Sequence, residues 1–153
     1  MSTLRIVSPL AGVVHPVSSV PDPVFANEIV GPGVAVEPLR TQSQVVVSPA
    51  DGVIGALHAH AFALELPGDR SVLVHLGIDT VRLAGQGFTL HVERGTRVRA
   101  GDRLVTWSPV DVAAAGLATV CPVVALQADR DLLEQLVEDG ATVQAGDPLL
   151  DWH

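Results

Sequence analysis

Apolar and polar residues alternate with period two in many short segments of this chain, and turn residues separate the segments. The runs 62–66 and 71–75 alternate in this way on either side of 67–70, which reads Pro-Gly-Asp-Arg. Period-two alternation is typical of strands that bury one face, and a Gly/Pro turn between two such runs is typical of a hairpin. The pattern predicts a β-hairpin here and a mostly β chain.

Helical periodicity is confined to short stretches. Residues 129–138 carry an apolar stripe at helical spacing and are followed by Gly140, which predicts a helix with a stop signal. Residues 111–118 predict a short turn of helix with Asp111 as its N-cap. Residues 21–25 contain two prolines, which exclude a central strand and favour an ordered loop or the start of a short helix.

Two internal repeats indicate how the strands are organised. Residues 93–107 match 138–152 at an offset of 45, and residues 8–14 match 48–54 at an offset of 40. A hairpin unit of this size cannot bury its apolar face alone, but two packed copies can. We therefore expect an all-β fold, a β-sandwich built from a duplicated β motif with one or two short helices. One domain spans 1–153, with residues 1–5 as a short N-terminal tail.

Composition narrows the class of protein. The chain has 153 residues, of which 48% are hydrophobic and 3% aromatic, and its formal net charge is −8. Nucleic acids and anionic membranes require clustered cations, so this net charge argues against both as partners. The single cysteine, Cys121, excludes an internal disulfide, and no apolar stretch is long enough to span a bilayer. The expected location is cytoplasmic.

Two histidines interrupt the apolar alternation. Counted from the predicted turn, His60 lies seven positions before Pro67 and His75 five positions after Arg70. Both offsets are odd, which predicts that the two imidazoles share one face of the hairpin. One neutral imidazole can attack an electrophile while the other donates a hydrogen bond to the arriving charge, and a phosphoryl group suits this pair. Gly77 permits close backbone approach, so a carbonyl there could hold Nδ1 of His75 and leave Nε2 as the nucleophile.

The same residues allow two other interpretations. Zinc could bind the pair, with His58 or Asp79 as a further ligand, which would give a zinc-dependent hydrolase. The H-x-H and H-x-x-x-D spacings occur in a class of zinc peptidases of the bacterial wall, although in the reverse order along the chain. A third interpretation is a non-catalytic regulatory binding domain.

The chain also resembles a known family, the enzyme IIA domain of the glucose family of the bacterial phosphoenolpyruvate-dependent sugar phosphotransferase system. The resemblance covers nearly the whole chain, and the order of its motifs is specific. The segments that carry it are 8–12 (SPLAG), 21–26 (PDPVFA), 31–36 (GPGVAV), 48–52 (SPADG), 60–62 (HAF), 74–81 (VHLGIDTV) and 85–88 (GQGF).

The resemblance implies a phosphocarrier. His75 would accept a phosphoryl group at Nε2 from phosphorylated HPr, with His60 as its hydrogen-bonding partner, and supporting roles would fall to Gly77, Asp79 and His58. The phosphoryl group would pass to a cysteine of an enzyme IIB domain, which phosphorylates the sugar entering through the membrane domain IIC. Members of the family commonly carry a threonine before H-A-F, and His58 is expected to substitute for it.

The resemblance further implies an apolar docking ring around the active histidine. Its members here would be Phe25, Ile29, Val30, Leu73 and Val81. No cofactor is required for phosphoryl transfer in the family. Zinc-mediated binding of regulatory target proteins is known for some members, and His60 with His75 would permit it.

Overall fold

The alternating segments form fourteen short strands, with two short α-helices between them. A computed structural model describes residues 2–153 of the chain. The strands are β1 Leu4–Val7, β2 Gly12–Pro16, β3 Gly33–Pro38, β4 Gln44–Val47, β5 Gly52–His58, β6 Ala61–Leu66, β7 Arg70–His75, β8 Phe88–Leu90, β9 Arg97–Val98, β10 Arg103–Trp107, β11 Cys121–Ala125, β12 Leu133–Gln135, β13 Thr142–Val143 and β14 Pro148–Trp152; the helices are α1 Pro23–Ala26 and α2 Pro109–Ala114.

The strands form one large sheet and two small ones. The large sheet has eight strands in the order β13-β2-β3-β11-β7-β6-β5-β9, and the small sheets have the orders β1-β14-β12 and β4-β10-β8. Side chains from all three sheets meet in one core, which includes Ile6, Phe62, Trp107 and Leu149 at 1% exposure or less. The predicted β-sandwich is confirmed.

The duplication is confirmed, and one copy is inserted into the other along the chain. Strands β4 to β10 form one copy, while β1 to β3 together with β11 to β14 form the other. Equivalent bonds recur in both. The Ser8 amide donates to the Asp147 carbonyl at 2.7 Å, and the Ser48 amide donates to the Asp102 carbonyl at 2.8 Å. The repeats found in the sequence are therefore repeats of backbone geometry.

Reciprocal bonds join the copies. The Val7 amide donates to the Pro49 carbonyl and the Val47 amide to the Pro9 carbonyl, both at 2.8 Å. In the large sheet the two halves meet where β7 pairs with β11, at the centre of the strand order. The copies therefore share hydrogen bonds as well as a core.

The predicted helix over 129–138 is wrong. The segment forms a single 3-10 turn, Arg130–Leu132, followed by strand β12, which pairs with β14. β12 occupies the place that β8 has in the other copy, 45 residues earlier. Pairing to the neighbouring strand therefore outweighed the local helical periodicity.

The two short helices bear out the remaining helical predictions, with one correction. Residues 21–25 do begin a helix, because Asp22 caps α1 by accepting the Val24 amide at 2.9 Å. The predicted turn of helix at 111–118 is α2, but its N-cap is Ser108, and Asp111 lies in the first turn. Since α2 starts with a proline at its first position, the cap must be the residue before it.

The N-terminal tail is shorter than predicted. β1 begins at Leu4 and pairs with the end of β14, so only Ser2 and Thr3 precede the first strand among the described residues. Met1, which was assigned to the same tail, lies outside the described residues. Among residues 2–153, no helix has the length and apolar character needed to cross a bilayer.

One buried cation ties the chain ends to the hairpin between β6 and β7. Arg70 is 6% exposed. Its guanidinium donates to the carbonyls of Pro67 at 3.1 Å, Trp152 at 3.1 Å and Ser2 at 2.9 Å. It also lies 5.6 Å from the centre of the Trp152 ring, within the range of a cation–π contact.

We expect Arg70→Met to lower the free energy of unfolding by about 2–3 kcal/mol, because it leaves carbonyl groups without their charged donor. Urea denaturation measures the change. Arg97→Met is the matched control, since Arg97 is exposed on a nearby edge strand and should change stability by less than about 0.5 kcal/mol. Equal stabilities of the two variants would show that the hydrogen bonds of Arg70 contribute nothing to the free energy of unfolding.

Candidate functional site

Strand alternation on β7 places His75 on the outer face of the large sheet. Val72 and Val74 are fully buried in the core between the sheets. Leu73 and His75 therefore point to the opposite side, and both are half-buried there. This outer face carries the candidate site.

The two predicted histidines do lie together, but for a different reason from the one that the sequence suggested. The hairpin pairs Leu66 with Arg70, so its loop has three residues and His75 lies opposite Ala61. The backbone pairing continues one bond further, since the Leu76 amide donates to the His60 carbonyl at 2.7 Å, and regular strand alternation would turn the His60 side chain to the other face. His60, however, is the second residue of the tight turn between β5 and β6 and lies outside both strands. The turn frees its ring to approach His75, with ring centres 5.1 Å apart.

A third imidazole extends the row. His58 pairs with Ala61 across β5 and β6, and Ala61 pairs with His75, so the three residues share one face. The small Ala61 side chain leaves the space between the outer two rings open. The His60 ring lies between them, 5.7 Å from the centre of the His58 ring. His58 is exposed, while His60 is half-buried.

A backbone carbonyl sets the tautomer of His75. Its Nδ1 lies 2.5 Å from the Gly77 carbonyl oxygen, which can only accept a hydrogen bond. Nδ1 therefore carries the proton in the neutral ring, and Nε2 keeps its lone pair. The sequence anticipated this bond at Gly77, although it could not establish the distance.

Gly77 is required by its surroundings. Its φ is +75°, and a Cβ placed there would lie 2.7 Å from Cγ2 of Thr80 and 2.9 Å from the Ala118 carbonyl oxygen. Thr80 is itself fixed, since its hydroxyl donates to the Leu76 carbonyl at 2.8 Å. Any larger residue would displace the carbonyl that orients His75.

Both histidines favour the neutral form. Burial is the largest cause and lowers the pKa of His75; the Gly77 carbonyl and the carboxylates of Asp22 and Asp79 act in the opposite direction without reversing it. Burial also lowers the pKa of His60, helped by the neighbouring His75 and His58. At neutral pH the pair therefore offers a free lone pair at Nε2 of His75.

Helix α1 forms one wall of the site. The Phe25 ring packs against the His75 ring with centres 5.3 Å apart. Asp22, which caps α1, is a charge near His75 that the sequence reasoning missed as a site residue. An aspartate directly before the proline that starts a helix was the available signal. Asp79 is exposed in a left-handed backbone conformation and acts on His75 through its charge.

The structure divides the predicted docking ring by exposure. Ile29 and Val81 are 62% and 65% exposed, whereas Phe25 is only 7% exposed. Val30 and Leu73 are half-buried and pack with Phe25 in a second small core on the outer face. The surface that a partner could touch therefore rests on Ile29 and Val81, joined by Val24, which the sequence reasoning did not select.

The site lies outside the main cavities of the molecule. Neither His60 nor His75 lines any of five cavities found among residues 2–153. Within residues 2–153, no group of three or more histidine, cysteine or acidic side chains is arranged to hold a metal ion. The zinc ligand set considered for His58, His60, His75 and Asp79 is therefore not assembled.

Comparison with known proteins agrees with this geometry. Residues 4–131 match the family described as "phosphoenolpyruvate-dependent sugar phosphotransferase system, EIIA 1". A glucose-specific EIIBCA component of Corynebacterium glutamicum is 43% identical over 129 residues, which are 83% of this chain and 19% of that protein. A glucose-specific EIIA component of Oceanobacillus iheyensis is 35% identical over 129 residues, 83% of this chain and 76% of that protein.

A solved structure is similar over almost the whole fold. Glucose permease IIA from Mycoplasma capricolum has a TM-score of 0.88 and 29% identity, and the match covers 99% of this chain and 96% of that one. The chain spans only about a fifth of the length of the Corynebacterium relatives, which are named as combined EIIBCA components. The chain belongs to the EIIA 1 family of the phosphoenolpyruvate-dependent sugar phosphotransferase system.

Proposed function

We propose that this chain is a phosphocarrier that takes a phosphoryl group from phosphorylated HPr on Nε2 of His75 and passes it to a cysteine of an enzyme IIB domain. The observation that carries the proposal is the 2.5 Å contact between Nδ1 of His75 and the Gly77 carbonyl. This contact leaves the lone pair on Nε2, beside a second imidazole that can donate a hydrogen bond.

The reaction is a transfer of phosphorus between two nucleophiles. The Nε2 lone pair of His75 forms the new bond to phosphorus as the donor's bond to phosphorus breaks, and the donor keeps that electron pair. His60 donates a hydrogen bond to a phosphoryl oxygen and stabilises its charge. In the second transfer the cysteine sulfur of the acceptor forms the bond to phosphorus, and the electron pair returns to Nε2.

The position of the site outside the five cavities supports a protein as the substrate. A small-molecule site usually lies in a pocket that surrounds its ligand, whereas His60 and His75 line none of these five cavities. A protein donor can bring its own phosphoryl-bearing side chain to a flat face. Exposed Ile29, Val81 and Val24 offer such a partner an apolar contact.

The relatives support enzyme IIB as the acceptor but leave the sugar open. Two are named as single EIIBCA components, which joins the A, B and C parts in one protein. One is glucose-specific at 43% identity and the other mannose-specific at 45% identity. Similar EIIA sequences therefore accompany different sugars, and we propose no sugar. A cytoplasmic location is part of the proposal.

Zinc chemistry has less support. His60 and His75 offer two nitrogens, and a hydrolytic zinc needs three protein ligands, which residues 2–153 do not bring together. A zinc ion shared with a regulatory partner would need that partner's own ligands. Phosphoryl transfer needs none.

We expect His75→Ala to take up no phosphoryl group, because it lacks the nucleophile. Intact mass after incubation with phosphoenolpyruvate, enzyme I and HPr measures the uptake, and one acid-labile phosphoryl group is expected on the wild type. His91→Ala is the matched control, since His91 is exposed and bonds Thr106 away from the site. Phosphorylation of His75→Ala would contradict the proposal.

We expect His60→Ala to accept the phosphoryl group but to pass it on poorly, because Nε2 of His75 is intact while the donor to the phosphoryl oxygens is lost. Losing one such donor costs a catalytic step about 100-fold or more. Single-turnover transfer from the phosphorylated variant to an enzyme IIB domain measures the rate. A wild-type rate would remove His60 from the mechanism.

We expect the pKa of His75 to lie below the usual 6.5, so that phosphoryl acceptance persists as the pH falls through 6.5 and is lost only below it. Between the folded and unfolded values the unfolded chain binds more protons, so stability also decreases as the pH falls in that range. An NMR titration of the His75 ring measures the midpoint. A midpoint at or above 6.5 would contradict the burial argument.

A further inference from the structure

A group of arginines lies outside the histidine site, and one of them, Arg94, donates to the Gly55 carbonyl at 3.1 Å. The chain has no lysine, and four of its nine cations fall within ten residues, at Arg94, Arg97, Arg99 and Arg103. All four are exposed. Among residues 2–153, no carboxylate oxygen comes within 4.0 Å of these guanidinium groups, whereas Arg5, Arg40 and Arg130 each pair with an acid. We call the four the arginine edge.

The duplicated motif supplies an internal control for the arginine edge. The equivalent turn, 45 residues later, carries Asp139, Thr142, Gln144 and Pro148 at the four positions. Its backbone is the same. The Arg99 amide donates to the Asp102 carboxylate at 2.9 Å, and the Gln144 amide donates to the Asp147 carboxylate at 2.8 Å. The fold therefore does not require the arginines.

The charge of the two turns is opposite. Residues 138–148 contain Glu138, Asp139 and Asp147 and no cation. The turns lie at opposite edges of the large sheet, at β9 and β13, which strand spacing places about 34 Å apart along the sheet. Residues 93–103 hold four arginines together with Glu93 and Asp102, a net charge of +2. The Debye length at physiological salt is about 8 Å, so the acidic edge is screened from a surface that touches the arginine edge.

Arg97 of the arginine edge faces the same side as the histidine site. Arg97 pairs with Val53, Val53 with Glu65, and Glu65 with Ser71, so all four lie on the outer face with His75. Strand spacing and rise put His75 roughly 20 Å from Arg97. A surface that binds the arginines therefore leaves His75 free for a protein partner.

We propose that the arginine edge binds the anionic headgroups of a lipid bilayer. Guanidinium groups form paired hydrogen bonds with phosphate oxygens, and clusters of four or more basic residues are typical of anionic membrane contact.

No large hydrophobic residue within 94–103 is exposed, so the edge lacks the apolar anchor on which a protein interface centres. Asp51, Glu65 and Asp102 line the same cavity as Arg97 and Arg99, which disfavours a single small anion there. The net charge predicted no such partner, because it averages over two oppositely charged edges.

Vesicle co-sedimentation at 0.15 M salt tests the proposal. The probes are vesicles of phosphatidylcholine with phosphatidylglycerol in equal amounts, and vesicles of phosphatidylcholine alone. The test variant is Arg94→Gln/Arg97→Gln/Arg99→Gln. The control variant, Arg5→Gln/Arg40→Gln/Arg130→Gln, makes the same change in net charge at three exposed arginines that pair with acids.

We expect the wild type and the control variant to bind the anionic vesicles and the test variant to bind about 100-fold more weakly, from the usual contribution of three arginines near such a surface. Raising the salt to 1 M, where the Debye length is about 3 Å, should release the wild type. Thermal unfolding should show that both variants are folded.

Two results would overturn the proposal. One is an equal loss of binding in the test and control variants. The other is absence of wild-type binding to anionic vesicles; NMR of the arginine side chains with inorganic phosphate or poly-glutamate then shows whether the arginine edge binds a different anion. Phosphorylation of His75 is measured in a separate experiment, so the vesicle results do not depend on the proposed phosphocarrier role.

Discussion

The reciprocal hydrogen bonds between the two Ser-Pro turns and the pairing of β7 with β11 are the contacts on which the rest of the molecule depends. They join two copies of a motif that could not bury its apolar face alone. They also place β7 at the centre of an eight-stranded sheet, held on both sides. His75 at the end of that strand is consequently fixed in position, which a group that must meet a partner's phosphorus requires.

The site exists once because the two copies differ where the strands turn. In the central copy, β5 and β6 are joined by the two-residue turn that holds His60. In the flanking copy, the equivalent connection between β2 and β3 runs over residues 17–32 and contains α1. This connection covers Val124. Val124 is the equivalent of His75, because Val124 pairs with the first residue of β3 and His75 pairs with the first residue of β6. The segment 17–32 also places Phe25 against His75. One difference between the copies therefore covers Val124 in the flanking copy and forms a wall of the site at His75 in the central copy.

The sequence could predict much of this, because duplication, alternation and glycine turns are local signals. It could predict that His60 and His75 meet, yet it did so by counting outward from a four-residue turn at 67–70, whereas the loop has three residues. Register depends on loop length, and the sequence alone does not distinguish a loop of four residues from one of three. The false helix over 129–138 has a similar cause, since pairing with β14 is a distant contact that periodicity does not report. Asp22 was overlooked because its proximity to His75 arises only when α1 folds back over the sheet.

Comparison of the two copies separates structural residues from functional ones without any relative. Ser8 and Ser48, like Asp102 and Asp147, make equivalent hydrogen bonds in the two copies, and Trp107 and Trp152 occupy equivalent places in the core. A side chain that occurs in only one copy is not required by the backbone geometry that the two copies share. The copies differ in this way at His75 against Val124 and at Arg97 against Thr142. At the first position one copy has a reactive imidazole and the other copy has a core residue. At the second position one copy has a cation and the other copy has a neutral side chain. The arginine edge therefore requires an explanation of the same kind as the histidine pair, in terms of what it contacts outside the chain.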